Sequence, residues 1–277
     1  MLSIDNTTVT VSALCYRAKI SRQGYYQQTR ARQRRSLQAE AILRLVRRIR
    51  QRHHRMGTRK LWVKVVAAGY RIGRDRLFSL LRSAGLLIPR RRRFQRTTDS
   101  CHRFRIYPNL IRDRAVTGPH QVWASDLTYL RTNEGFVYLA LITDMGSRKI
   151  VGYSVHGSLE VDGALTALRM ALAQRPEGCD VIHHSDRGSQ YCCGDYTGLL
   201  HRHGLEISMT EMNHCYENAL AERVNGILKH EYGLKECFES KAQARLACRQ
   251  AIQLYNEERP HLALGMRTPE AVHTMAA

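Results

Sequence analysis

The chain has 277 residues, 43% apolar and 25% charged, which describes a folded globular protein and excludes a disordered one. No apolar run reaches the roughly 18 residues of a membrane span, and no basic segment followed by an apolar stretch opens the chain, so it reads as cytoplasmic. The net charge of +20 is unevenly spread, with 29 Lys+Arg against 5 Asp+Glu in residues 1–118 and 15 against 19 in residues 119–277, which points to a polyanion-binding half joined to a half with another task.

Residues 11–27 predict two short helices about a turn near Ile20 and Ser21, like a small helix-turn-helix. Residues 36–53 predict a helix with Leu37, Ile42, Leu45, Val46 and Ile49 on one stripe. A second helix opens near Thr58 and carries Leu61, Trp62, Val65 and Val66 until Gly69. A third follows Gly73 and carries Leu77, Leu80 and Leu81 until Gly85. Three short basic helices split by glycine turns suit a winged-helix-like or trihelical DNA-binding unit, with an all-helical interaction module as the alternative. Residues 89–114 hold Arg90, Arg91, Arg92 and Arg93 without apolar periodicity and read as a linker that tracks phosphates.

From Gln121 the pattern turns to strands. Residues 121–131, 136–143 and 149–155 predict an antiparallel meander, followed by a helix at 161–174, a strand at 181–184, a helix at 189–203, a strand at 205–208 and a long helix at 217–232. The order βββαβαβα predicts an α/β fold: a ribonuclease H-like core with a mixed five-stranded sheet, preceded by the small all-helical module. The expected divisions are 1–35, 36–88, 89–115, 116–232 and a helical extension at 233–277. None of the eight cysteines forms a C-x-x-C pair, so free thiols are expected and no zinc site.

Three carboxylates stand out: Asp126 in VWASDLTYL, Asp186 in HHSDRGSQY and Glu222 in NALAERVNG, with 59 and 35 residues between them. Spacing alone is matched by chance, and Asp186 before Arg187 and Gly188 also suits a turn. Their placement lifts them. Asp126 falls mid-strand, where an unpaired carboxylate is costly, Asp186 just past a strand end, and Glu222 on a helix. Hard oxygen donors so assembled are suited to hold two divalent ions for in-line phosphoryl displacement. Lys229 follows Glu222 by seven residues, about two turns, on the same helix face.

The stretch from Trp123 to Tyr153, the block from His184 to Tyr191, and Tyr216-Glu217-Asn218-Ala219 through Glu222 to Lys229 resemble the retroviral-integrase-like core of insertion-sequence transposases. The tail from Tyr255 to His261 with Thr268-Pro269-Glu270, and upstream His54–Leu61 and Gly73–Leu77, resemble the same family, most closely the second-frame (OrfB-type) product of the insertion sequence three family. The resemblance implies that Asp126, Asp186 and Glu222 are catalytic and ligate two Mg²⁺ or Mn²⁺ ions, with His184 and Asn218 in support. It implies DNA cleavage and strand transfer without a covalent protein–DNA intermediate. Lys229, Arg59, Lys60, Arg74, Arg76 and Arg90 through Arg93 are the expected DNA contacts. DNA, further copies of the chain on DNA, and a helix-turn-helix partner from an upstream frame are the implied partners; no membrane is. Two alternatives stay open: a ribonuclease H-type nuclease that only hydrolyses, and a silent DNA-binding regulator derived from a transposase.

Overall fold

The computed structural model describes residues 10–89, 104–211 and 218–275; Arg90, Arg91, Arg92 and Arg93 of the basic linker, with Tyr216 and Glu217, lie outside the described residues. Helices α1 (Val11–Arg17) and α2 (Arg22–Arg52) are capped by Thr10 and Ser21, whose side-chain oxygens each accept from the backbone N–H three residues on. The turn expected near Ser21 is present, but α2 then runs for 31 residues across the division expected at 35/36. Residues 28–41 contain neither Gly nor Pro and are rich in Gln, Arg and Ala, so strong helix formers carry the helix where no apolar stripe marks it. Helices α3 (Thr58–Ala67) and α4 (Arg74–Ser83) follow, and Ile42, Val46, Leu61, Val65, Leu77 and Leu81 close a small core among α2, α3 and α4.

Strands β1 (Val122–Thr132), β2 (Gly135–Asp144), β3 (Ile150–His156), β4 (Ile182–Ser185) and β5 (Glu206–Met209) form one sheet in the order β3-β2-β1-β4-β5. The first three pair antiparallel, and β4 and β5 run parallel to β1. Helices α5 (Val161–Leu172), α6 (Ser189–Cys192) and α7 (Gly194–Arg202) cover one face, packing Leu165, Leu168, Tyr196 and Leu200 on Trp123, Ile142 and Val151. Helices α8 (Ala219–Glu231) and α9 (Lys241–Glu257) cover the other, packing Val224, Leu228, Ile252 and Tyr255 on Leu130, Leu139 and Leu141. This is the ribonuclease H-like architecture. The single helix expected at 189–203 is broken at Cys193, whose backbone is extended just before Gly194, a poor helix former. At Gly152 the sheet meets α5 so closely that a Cβ would drive into the Ala167 carbonyl oxygen. After α9, a 3₁₀ turn (Leu262–Leu264) and α10 (Pro269–Thr274) return to the sheet, where His273 Nδ1 lies 2.9 Å from Ser147 Oγ.

Polar groups join the helical module to the core. Glu231, at the end of α8, accepts from Lys60 of α3 (2.9 Å) and from Arg259 after α9 (2.8 Å). His53, buried at the end of α2, lies 3.0 Å from Glu258 and 3.2 Å from the Tyr232 hydroxyl. No described helix is long and apolar enough to cross a membrane.

Candidate active site

The parallel register of β1 and β4 pairs Val122 with Ile182 and steps residue by residue to Ser125 with Ser185. Asp126 and Asp186 each follow directly on the last registered pair, Ser125 and Ser185, and Asp186 lies near enough for its charge to act on the Asp126 carboxyl. By alternation Asp126 points away from the face of Trp123 and Leu127, toward α8. Asp186 is fixed by the turn that follows β4: the Gly188 N–H donates to its Oδ1 at 3.0 Å.

Helix α8 brings the third group. Asn218, Glu222, Asn225 and Lys229 recur at steps of four, three and four residues, so they form one stripe along a helical face. Asn218 Nδ2 donates to the Ser125 carbonyl (3.1 Å), and Asn225 Nδ2 donates to Asp126 Oδ2 (2.6 Å). Lys229 places its ammonium 5.0 Å from the centre of the Tyr129 ring. Asn225 was not singled out from the sequence; the polar stripe continuing from Asn218 and Glu222 was the signal that locates it.

Under the carboxylates lies a buried polar layer. His183 Nε2 sits 2.6 Å from Ser125 Oγ and 2.9 Å from the Tyr196 hydroxyl, and burial, with His184 beside it, drives its pKa down to about 3, so the ring is neutral. It braces the residue preceding Asp126. His184, on the opposite face of β4, is buried with Nδ1 2.9 Å from Ser208 Oγ of β5. Sequence reading weighed only the second histidine of this doublet.

The electrostatics are those of a crowded anionic site. Part of the Asp126 side chain opens to solvent, yet burial, then the charge of Asp186 and, last, that of Glu222 raise its pKa to about 7 against the Asn225 hydrogen bond. Burial pulls Lys229 below the ordinary lysine value, against the attraction of Asp126. Glu222 is exposed on the first turn of α8, and among the described residues no three His, Cys, Asp or Glu side chains close into a metal-holding group. The structure thus brings Asp126 and Asp186 together and leaves Glu222 at the rim, near enough for its charge to be felt. The donor set nonetheless fits hard divalent cations. It offers carboxylate oxygens that repel one another, beside buried Oδ1 atoms of Asn218 and Asn225 that have no partner among the described residues.

Of the basic residues expected to meet DNA, Arg59, Arg74 and Arg76 are exposed on α3 and α4, and Arg74 also pairs with Asp75. Lys60 is a correction. Its side chain keeps only 12% exposure, its ammonium is bonded to Glu231, and burial with the repulsion of Arg259 lowers its pKa to about 8. It joins the helical module to the core instead of facing a phosphate.

The integrase core domain family matches the chain twice, over residues 116–215 and 203–269. A 31 kDa protein of insertion element IS600 from Shigella sonnei is 37% identical over 95% of this chain and all of its own length. Transposase InsF of insertion sequence IS3A from Escherichia coli is 34% identical over 94% of this chain and 93% of its own. The chain belongs to the insertion sequence three family of transposases. As an IS3-family transposase it is a polynucleotidyl transferase of the DDE class. The HTLV-2 integrase catalytic core solved with magnesium is a more distant likeness, 16% identical with a TM-score of 0.46 over 56% of this chain and 97% of that one.

Proposed function

We propose that this IS3-family transposase cleaves one DNA strand at each end of an insertion element and joins the freed 3′-OH to target DNA. Asp126, Asp186 and Glu222 act together as the reaction centre, with two Mg²⁺ or Mn²⁺ ions as cofactors. The observation that supports the reading is the β1–β4 register, whose last pair, Ser125 with Ser185, immediately precedes Asp126 and Asp186, together with the charge of Asp186 and Glu222 acting on Asp126. When bound, the ions supply Lewis acidity that stabilises charge on the attacking and leaving oxygens of phosphoryl transfer. The residues supply the rest. Asn225 holds Asp126 in one rotamer, the Gly188 N–H holds Asp186, and exposed Glu222 turns inward about its side-chain bonds at small cost. Lys229 stands beside Asp126, where a cation offsets the approach of a phosphodiester to an acidic site. Among the described residues the centre contains no activated protein nucleophile, so water and then a DNA 3′-OH attack in turn, with no covalent protein–DNA bond.

Arg59, Arg74, Arg76 and the arginines of the linker hold the DNA backbone, and the active assembly contains several copies of the chain on paired ends. A helix-turn-helix polypeptide from an upstream frame supplies recognition of the terminal repeats. Incubation with a pre-cleaved element end, target DNA and Mg²⁺ tests the reading. Joined strands are expected; cleavage without any joining overturns it in favour of a nuclease that only hydrolyses.

A further inference from the structure

Tyr129 and Phe136 are aromatic side chains that the fold leaves open: they are 52% and 47% exposed, whereas their chain neighbours Leu130 and Val137, on the other face, are buried. Their rings meet edge to face, with centroids 5.5 Å apart and planes at 88°. Such a cross-strand pair stabilises a hairpin, but that role does not require a lysine across the ring. By alternation Tyr129 shares the face of Leu127, opposite Asp126, yet Lys229 reaches its ring from the helix on the Asp126 side. The neighbouring strand β4 ends at Ser185. Beyond Ser125 that edge of β1 is met among the described residues only by a single bridge from Thr132 to Phe238. Arg131, exposed, stands directly opposite Phe136 in the hairpin. An exposed aromatic pair flanked by two cations, at an open strand edge, is complementary to an unpaired nucleotide. A base stacks on a ring while the cations meet its phosphates. An apolar protein partner would leave both charges to be desolvated without an anion.

The distance places this surface in the reaction. Tyr129 follows Asp126 by three residues along an extended strand, about 10 Å, or about three base steps at 3.4 Å. We propose that Tyr129 and Phe136, with Lys229 and Arg131, form a stacking platform that holds bases unpaired at the DNA end whose scissile phosphate lies at Asp126. The proposal rests on Asp126 marking the reaction centre. It adds a subsite for single-stranded character, and so predicts that the site takes a frayed end more readily than a closed duplex.

The test uses the full chain without divalent ions, so that no chemistry occurs. The probe is a duplex with three unpaired thymidines at one end flanking a 2-aminopurine, compared with a blunt duplex of the same length. The wild type is expected to quench the 2-aminopurine on binding and to prefer the frayed probe. Tyr129→Leu/Phe136→Leu should abolish the quenching and remove roughly tenfold of the affinity for the frayed probe, leaving blunt-duplex binding unchanged. Tyr129→Phe, which keeps the ring, should quench like the wild type. Wild-type quenching by the double variant overturns the platform, as does an unchanged preference for the frayed end. Should the double variant fail to fold, Phe136→Leu alone is read in the same way. Asp126→Asn separates this idea from the one beneath it. Joining by that variant sinks the reaction centre, whereas its quenching reports only on the platform.

Discussion

Replacing Glu231 by Gln should separate the helical module from the core in energy before any change in shape. Glu231 accepts from Arg259 Nε and Nη2, both at 2.8 Å, and from Lys60 Nζ at 2.9 Å. Arg259 is 3% exposed and the Lys60 side chain 12%, so neither cation recovers water when the anion is removed. Burial alone would raise the Glu231 pKa, but the hydrogen bonds and charge of Arg259, then Lys60, outweigh it and bring it from 4.5 to about 2. A carboxylate so depressed on folding contributes about 3 kcal/mol at neutral pH. Breaking a buried pair by removing one partner costs about 3–5 kcal/mol, which agrees. Because the folded pKa is the lower one, this contribution is complete above about 4.5 and is lost as pH falls toward about 2. Urea denaturation at pH 7 should therefore show Glu231→Gln about 3 kcal/mol less stable than the wild type, with the gap narrowing between pH 5 and pH 3. A difference within about 0.5 kcal/mol at pH 7, the size of an ordinary surface substitution, would refute the reasoning.

The raised Asp126 pKa of about 7 makes protons compete with cations for that carboxylate. The Mg²⁺ concentration for half-maximal cleavage should accordingly rise as pH falls from 8 to 6, and a requirement flat across that range counts against Asp126 as a ligand. Alanine at Arg59, Arg74 or Arg76 should each lower the salt slope of DNA binding by about 0.9, measured by anisotropy from low to moderate salt, whereas Lys60→Ala should leave it unaltered; the opposite pattern would reverse the assignment of α3. Gly152→Ala should cost several degrees in melting temperature, because the new Cβ meets the backbone of Ala167 and not a side chain that can move aside; an unchanged melting curve contradicts so tight an approach of α5 to the sheet.

Much of the core was legible because its residues repeat with the period of their element. The nearly unbroken apolar run of Phe136 to Thr143 marked β2, and the one-faced Val161, Leu165, Leu168 and Leu172 announced α5 as a helix that lies on a sheet. The 59 residues between the two aspartates became meaningful only through register: they set a step of 60 positions, the offset at which β4 runs beside β1. What periodicity cannot show is what touches across space. Lys60 looks like a solvent-facing DNA contact in sequence, and only the arrival of Glu231 from 171 residues away reassigns it. The α2 helix continues through an arginine-rich stretch that has no buried face to signal it, carried by propensity alone. Asn225 and His183 are ordinary polar residues until Asp126 and Ser125 are set against them. The tail from Tyr255 to His261 stood out as a pattern without a task. Its Arg259 proves to clamp the end of α8 that lies farthest from Glu222.

The most direct measurement takes a pre-cleaved element end, target DNA and Mg²⁺, and follows joined strands in a single turnover by Asp126→Asn, Asp186→Asn and Glu222→Gln, with DNA affinity measured beside each. The account predicts that joining falls below detection in all three while DNA affinity stays near that of the wild type. Joined product from any one of them, above all from Glu222→Gln at the rim of the site, would contradict it.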